Sequence, residues 1–267
     1  DLHSHRHVAG IVLLVISVCW AGITAATEVN NTLLTSDPGG THWAGYGRTF
    51  DEQRYSPLDQ VNAGNVKRLG LASFLDLPDM HTVTTVPLAV DGVIYFAAGY
   101  SVIHAVDAKT GKLLWRHDPE VWKLHPDKQR AAWGSRGLAF WKGRVYAGTV
   151  DGRLFAVDVR TGQQVWSVMT LEEGDSRYIT GAPQVFNDKV IIGHGGSDYG
   201  ATRGYVTAYD TETGEQMDHS DSSLKKNEKQ TIHKKLILSH LRLDCRHHGR
   251  SEESILNKTS FDMDFQY

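Results

Sequence analysis

The sequence predicts an all-β fold, a partial β-propeller of about three blades, on three observations. First, AVDAKTGKLLW (105–115) and AVDVRTGQQVW (156–166) share one pattern, Ala-x-Asp-x-x-Thr-Gly followed by a Trp, and AYDTETG (208–214) starts it a third time. Second, Asp107, Asp158 and Asp210 recur at intervals of 51 and 52 residues, a period near that of blade-type repeats. Third, each motif completes a pair of short β-branched and aromatic runs separated by turn residues, the pattern of a hairpin.

The elements follow in chain order. VAGIVLLVISVC (8–19) is a continuous apolar run behind a weakly basic start containing Arg6, with small residues after it in AGITAA (21–26). That layout predicts a secretory signal peptide over 1–26 and export to a bacterial periplasm. The run is short of the roughly 20 apolar residues of a comfortable membrane span, so no stable span is expected once the signal is removed. A retained anchor is the alternative, and Cys19 raises lipidation, which Val18 in front of it disfavours. Residues 27–42 read as a linker. GVIYFAAG (92–99) with SVIHAVDA (101–108) predicts a first hairpin. GRVYAGTV (143–150) with GRLFAVDV (152–159) predicts a second, turning at Asp151-Gly152, a strong hairpin signal. KVIIGHGG (189–196) with GYVTAYDT (204–211) predicts a third with a longer insert. After each Asp, the Thr-Gly pair makes the next turn, with Gly supplying a positive φ. The Trp beyond it is placed to fill the space between neighbouring blades.

A blade cannot bury both faces alone, and closed propellers have about 4–8 blades, so three copies form a sector. The pattern stops abruptly: the third motif leads to Asp218 where a Trp is due. Residues 217–267 hold one of 26 glycines, Gly249, and none of seven tryptophans, and carry basic clusters such as KKNEK and HKK in place of turn chemistry. They read as a poorly ordered tail unrelated to the blades.

Composition limits function. With 28 Lys and Arg against 31 Asp and Glu, the net charge of −3 gives no reason to expect a nucleic acid or an anionic membrane as partner. Two cysteines, Cys19 and Cys245, supply no disulfide framework, and the 14 histidines show no metal-ligand spacing.

WAGYGRTFDEQRYSPLDQVNAGNVKRL (43–69) resembles the start of the mature quinoprotein alcohol dehydrogenases, the methanol and ethanol family that uses pyrroloquinoline quinone (PQQ). VPLAVDGVIYFAAGYSVIHAVDAKTGKLLWRHDP (86–119), GSRGLAFWKGRVYAGTVDGRLFAVDVRTGQQVW (134–166) and ITGAPQVFNDKVIIGHGGSDYGATRGYVTAYDTETG (179–214) continue it in the family's order, so the blades are expected over 43–216. The resemblance implies an eight-bladed propeller with PQQ and calcium on its axis. It also implies a small primary alcohol as substrate and an electron acceptor such as a cytochrome c. Arg136 is similar to the arginine that holds the cofactor's oxygens, a role suited to a guanidinium fork. Thr149 matches a hydroxyl donor to a PQQ carboxylate. Gly195, Gly196 and Ser197 match the segment whose backbone approaches the cofactor, and Asp198 falls where the family has an acidic calcium ligand.

The departures from the family are also specific. Thr84 stands where a Glu is common near the cofactor. Arg130 and Ala131 stand at the adjacent cysteines that many members join in a disulfide. Ser73 replaces a Trp near the end of the first block. The family's ring floor, second calcium ligand and general base belong to later blades and have no counterpart in 217–267. The expectation is an incomplete and inactive copy of the enzyme, with a non-catalytic periplasmic propeller scaffold of the PQQ-repeat kind as the alternative, and a degraded product as a third reading.

Overall fold

Eleven strands alternate with hairpin turns among the described residues of the computed structural model, which are 26–77, 83–128, 133–195 and 204–217. The signal run at 8–19, Arg130, Ala131, Gly196, Ser197, Asp198 and the tail beyond Met217 lie outside them. The strands form three separate antiparallel meanders. Blade 1 holds β1 (Leu88–Val90), β2 (Val93–Ala97), β3 (Ile103–Asp107) and β4 (Leu113–His117). Blade 2 holds β5 (Ala139–Trp141), β6 (Arg144–Gly148), β7 (Arg153–Asp158) and β8 (Gln164–Met169). Blade 3 holds β9 (Gln184–Phe186), β10 (Lys189–His194) and β11 (Tyr205–Asp210). A bridge from Gln216 to Tyr209 and the bond from the Met217 N–H to the Ala208 carbonyl continue blade 3 one step further. The sheets do not close on one another, so the architecture is a partial propeller.

Each predicted hairpin became the middle of a blade, and an inner strand was added before it. The inner strand joins through a two-residue turn with both residues at positive φ: Asp91-Gly92, Lys142-Gly143 and Asn187-Asp188. That turn matches the right-handed twist of paired strands. The Asp151-Gly152 pair is not such a turn. The loop there runs from Thr149 to Gly152, with the Gly152 N–H bonded to the Thr149 carbonyl at 2.9 Å, because the Thr149 and Asp151 side chains fold into it.

The repeated motif has a physical explanation. Asp107 Oδ1 accepts from the Lys109 and Thr110 N–H groups and from the Thr110 hydroxyl, and Asp158 and Asp210 repeat this on Thr161 and Thr213. The glycine after the Thr lies at φ +70 in Gly111, +71 in Gly162 and +76 in Gly214. Its missing side chain leaves a flat floor for the preceding blade. Trp115 of blade 1 lies on Gly162 and donates its indole N–H to the Val159 carbonyl at 2.8 Å. Trp166 of blade 2 lies on Gly214 and donates to the Thr211 carbonyl at 3.1 Å. The motif is therefore a blade-to-blade joint: a capped turn on one blade receives an indole from the blade before it.

The core is richest in blade 2, which has a neighbour on each side. Trp141, Tyr146, Leu154 and Phe155 are fully buried, with Ile179 and Ile192 packed from the blade 3 side and Tyr95 meeting Phe140 from blade 1. Residues 26–50 are not a free connector. Asn30 caps α1 (Asn31–Thr35) through its side chain, Val29 and Leu34 are buried in the shared core, and the Val29 carbonyl accepts from the Lys142 N–H at 3.0 Å. A short α2 (Val121–Leu124) follows blade 1. Among the described residues no helix is long and apolar enough to cross a membrane.

Candidate active site at the inner blade ends

The alternation of strands sets which loops share an end. The joints and the two-residue turns sit at one end of the blades. At the other end lie the loops after β2, β6 and β10 and the segments leading into β1, β5 and β9. Arg136, Thr149 and Gly195 all belong to this second end. The lead-in segments are tied together across blades: the Val86 N–H donates to the Arg136 carbonyl at 2.9 Å, and the Arg136 N–H donates to the Thr180 carbonyl at 2.8 Å. Thr84, Ser135 and Thr180 thereby occupy equivalent places, each four positions ahead of the first residue of its inner strand.

Arg136 is exposed between the buried Ser135 and Gly137. Its footing is rigid. Ser101 Oγ donates to the Gly148 carbonyl at 2.7 Å and accepts from the Ser135 N–H at 2.9 Å, which pins the lead-in of β5 to the end of β6. Ser135 Oγ donates to the Gly137 carbonyl at 2.6 Å on the far side of Arg136. Thr149 is fully buried, and its hydroxyl is engaged by Asp151 and by the Arg153 backbone. It can reach a ligand only by giving up the Asp151 bond. Gly195 donates its N–H to the Tyr178 carbonyl at 2.9 Å, and a Cβ on it would meet the Tyr178 ring at 3.3 Å. Thus Arg136, Thr149 and Gly195 share one end of adjacent blades, with Arg136 and Gly195 tied by backbone bonds to the lead-in of β9 at Thr180 and Tyr178.

Three further residues at this end escaped the sequence reading. The Thr85 hydroxyl is buried with no hydrogen-bond partner, next in sequence to Val86, whose N–H bonds the Arg136 carbonyl. His194 and Thr170 join β10 to the end of β8, with His194 Nε2 2.7 Å from Thr170 Oγ1. Burial, the largest cause, pushes His194 down to about 4, with Arg177 adding to the shift and the Tyr205 carbonyl and Asp175 opposing it. A signal for the lead-in residues was present in the repeat: hydroxyl residues recur at Thr84, Ser135 and Thr180 in register with the blades. No such signal marked His194.

An anionic, planar, oxygen-rich cofactor needs a cation, hydrogen-bond donors and backbone it can approach. Arg136, the orphaned Thr85 hydroxyl and the side-chain-free Gly195 meet those needs, so the described residues fit PQQ. Among the described residues no group of three or more His, Cys, Asp or Glu could hold a metal ion.

Residues 43–235 match a family described as PQQ: glucose/ethanol/alcohol dehydrogenase, β-propeller domain. The chain is 44% identical over 204 residues to the quinohemoprotein alcohol dehydrogenase ADH IIB of Pseudomonas putida, covering 76% of this chain and 29% of the relative. It is 50% identical over 188 residues to the dehydrogenase subunit of a quinone alcohol dehydrogenase of Komagataeibacter europaeus, covering 68% and 25%. The structure of quinohemoprotein alcohol dehydrogenase from Comamonas testosteroni superposes with a TM-score of 0.65 at 46% identity, over 70% of this chain and 28% of that one. The chain thus spans between a quarter and a third of the length of these relatives.

Proposed function

This chain belongs to the glucose/ethanol/alcohol dehydrogenase family with a PQQ β-propeller domain, and from that premise we propose that it is the first propeller sector of a quinoprotein oxidoreductase acting on primary alcohols. The observation that carries the reading is the exposed Arg136 on a hydrogen-bonded footing, at the blade end shared with Thr149, Gly195 and the orphaned Thr85 hydroxyl. PQQ, when bound, supplies the acceptor for the two electrons of the alcohol, with calcium as a Lewis acid. This chain's residues bind and orient it. Arg136 neutralises and aligns its oxygens, Thr149 adds a hydroxyl, and Gly195, Gly196 and Ser197 offer close backbone. Asp198 contributes a carboxylate to calcium. The partner implied for the electrons is an acceptor such as a cytochrome c.

We propose further that these 267 residues bind the cofactor without turning over alcohol. Calcium takes about 6–8 oxygen ligands, of which Asp198 is the single carboxylate assigned, and no residue of the sector is assigned as the base that takes the hydroxyl proton. Export through the apolar run at 8–19 to the periplasm belongs to the same proposal, and the mass of the protein recovered from that compartment checks it.

The test is a titration of the full chain with PQQ and calcium, followed by tryptophan fluorescence, beside dye reduction with ethanol and a full-length relative as control. Saturable binding is expected, weakened about 10–100-fold by Arg136→Gln, since a charge-assisted bidentate contact is lost. Absence of saturable binding would overturn the cofactor reading in favour of a scaffold. Turnover matching the relative would overturn the inactivity.

A further inference from the structure

Resting on the cofactor reading above, we infer that His194 is a positioning residue that, through the Thr170 hydroxyl, sets the spacing between the Thr149 turn of blade 2 and Gly195 of blade 3. The hydrogen bonds form one continuous path. The Gly152 N–H donates to the Thr149 carbonyl at 2.9 Å, closing the turn. The Gly152 carbonyl accepts twice from Thr170, from its N–H at 3.0 Å and from its hydroxyl at 2.6 Å. The Thr170 hydroxyl meets His194 Nε2 at 2.7 Å. Gly195 follows His194 directly. A path through Gly152, Thr170 and His194 therefore joins two candidate cofactor contacts that stand on different blades.

The Thr170 hydroxyl lies within hydrogen-bonding distance of both the Gly152 carbonyl, at 2.6 Å, and His194 Nε2, at 2.7 Å, so it bridges the two. The other ring nitrogen, Nδ1, lies 3.4 Å from the Tyr205 carbonyl.

The ring has little freedom to leave this position. It is 5% exposed and stacked on Tyr205, with centroids 4.2 Å apart and 17° between planes. Tyr205 is held in turn: its hydroxyl donates to the Thr170 carbonyl at 3.1 Å, and Arg177, paired with Asp175 at 2.6 Å, lies over its outer surface. The Thr170 end and the Tyr205 end thus clamp His194 from two blades. Packing alone would be served by any flat apolar side chain. The directed contact to Thr170 is what requires a ring nitrogen.

The test compares wild type with His194→Leu, His194→Gln and Thr170→Val in the full chain. Gln places a side-chain amide, with both a donor and an acceptor, near the Nε2 position, so it keeps a hydrogen-bond partner for Thr170. Two readouts are taken: exchange of the Gly195 and Gly152 amide protons in cofactor-free protein, and PQQ affinity by fluorescence. His194→Leu and Thr170→Val are each expected to speed exchange at both amides and to weaken PQQ about tenfold, the loss of one buried hydrogen bond. His194→Gln is expected to restore both. Combining the Leu and Val changes should cost no more than either alone, because both cut the same link. Wild-type exchange at Gly195 in both His194→Leu and Thr170→Val would overturn the inference. So would uniformly faster exchange over all blades without rescue by Gln, which marks a merely structural role. If the exchange pattern appears but wild type shows no saturable PQQ binding, the strut stands and the cofactor reading falls.

Discussion

Gly162 and Gly143 have nearly the same backbone angle, φ +71 and +76, in different surroundings. A Cβ at Gly143 meets nothing within 4 Å, whereas one at Gly162 would lie 2.9 Å from the Trp115 ring. Alanine at Gly143 should therefore cost only the left-handed backbone term, about 1 kcal/mol. Alanine at Gly162 should cost roughly 2–4 kcal/mol by also displacing an indole. Urea midpoints of the two variants measure the difference, and equal losses would mean that the indole does not rest on Gly162. His194 makes a second residue-scale prediction. Its folded value of about 4 lies below the ordinary 6.5. Between those two values the unfolded chain binds more protons than the folded one, so stability increases with pH across the window. The contribution is fully present above about 6.5 and is lost as pH falls to about 4, an effect of up to about 3 kcal/mol. Urea unfolding at pH 7.5 and 4.5 should show a smaller acid loss in His194→Gln than in wild type. Identical losses would sink the idea.

The unit that repeats is the joint between blades, more than the blade itself. Two joints carry an indole, Trp115 on Gly162 and Trp166 on Gly214. Gly111 of blade 1 offers the same floor, at φ +70, and there the neighbour is Ser73, whose Cβ lies 2.7 Å from the position of an added Cβ. Ser73 therefore occupies the place of the docking Trp at this joint. A hydroxymethyl fills little of the space an indole fills. Ser73→Trp is expected to raise stability by about 1–2 kcal/mol, and Trp166→Ala to lower it by about 3 kcal/mol, both read as shifts in the urea midpoint. A destabilised Ser73→Trp would show that this joint has a different geometry from the other two.

The whole molecule is a sector whose middle is better buried than its margins. Strands β5 to β7 are covered on both faces, while Leu71 and Phe74 are 83% and 74% exposed beside the Ser73 joint. Amide exchange should accordingly be slowest in β6 and β7, because their opening requires both neighbours to separate. Exposed apolar side chains on an extended, unpaired stretch favour association. Leu71→Lys with Phe74→Glu is expected to lower light scattering on concentration while leaving the urea midpoint within about 0.5 kcal/mol of wild type. Unchanged scattering would mean that association uses another surface.

By itself the sequence determined what short-range chemistry controls. The Asp-Thr-Gly turns close through bonds to residues two and three positions away, and the hairpin runs alternate over a few residues, so both were legible as a blade repeat. The resembling blocks singled out Arg136, Thr149 and Gly195, which the structure places at one blade end, while Gly196, Ser197 and Asp198 lie outside the described residues. Long-range packing decided the rest. The inner strands β1, β5 and β9 have three residues each and carry too little pattern to stand out. The Asp151-Gly152 pair reads as a two-residue turn until Thr149 and Asp151 bond across it. Ser73 meets Gly111, and His194 meets Thr170, only once the blades stand side by side. A contact between residues tens of positions apart leaves no periodicity in the chain, so the joints and the His194 link are properties of the assembled sector.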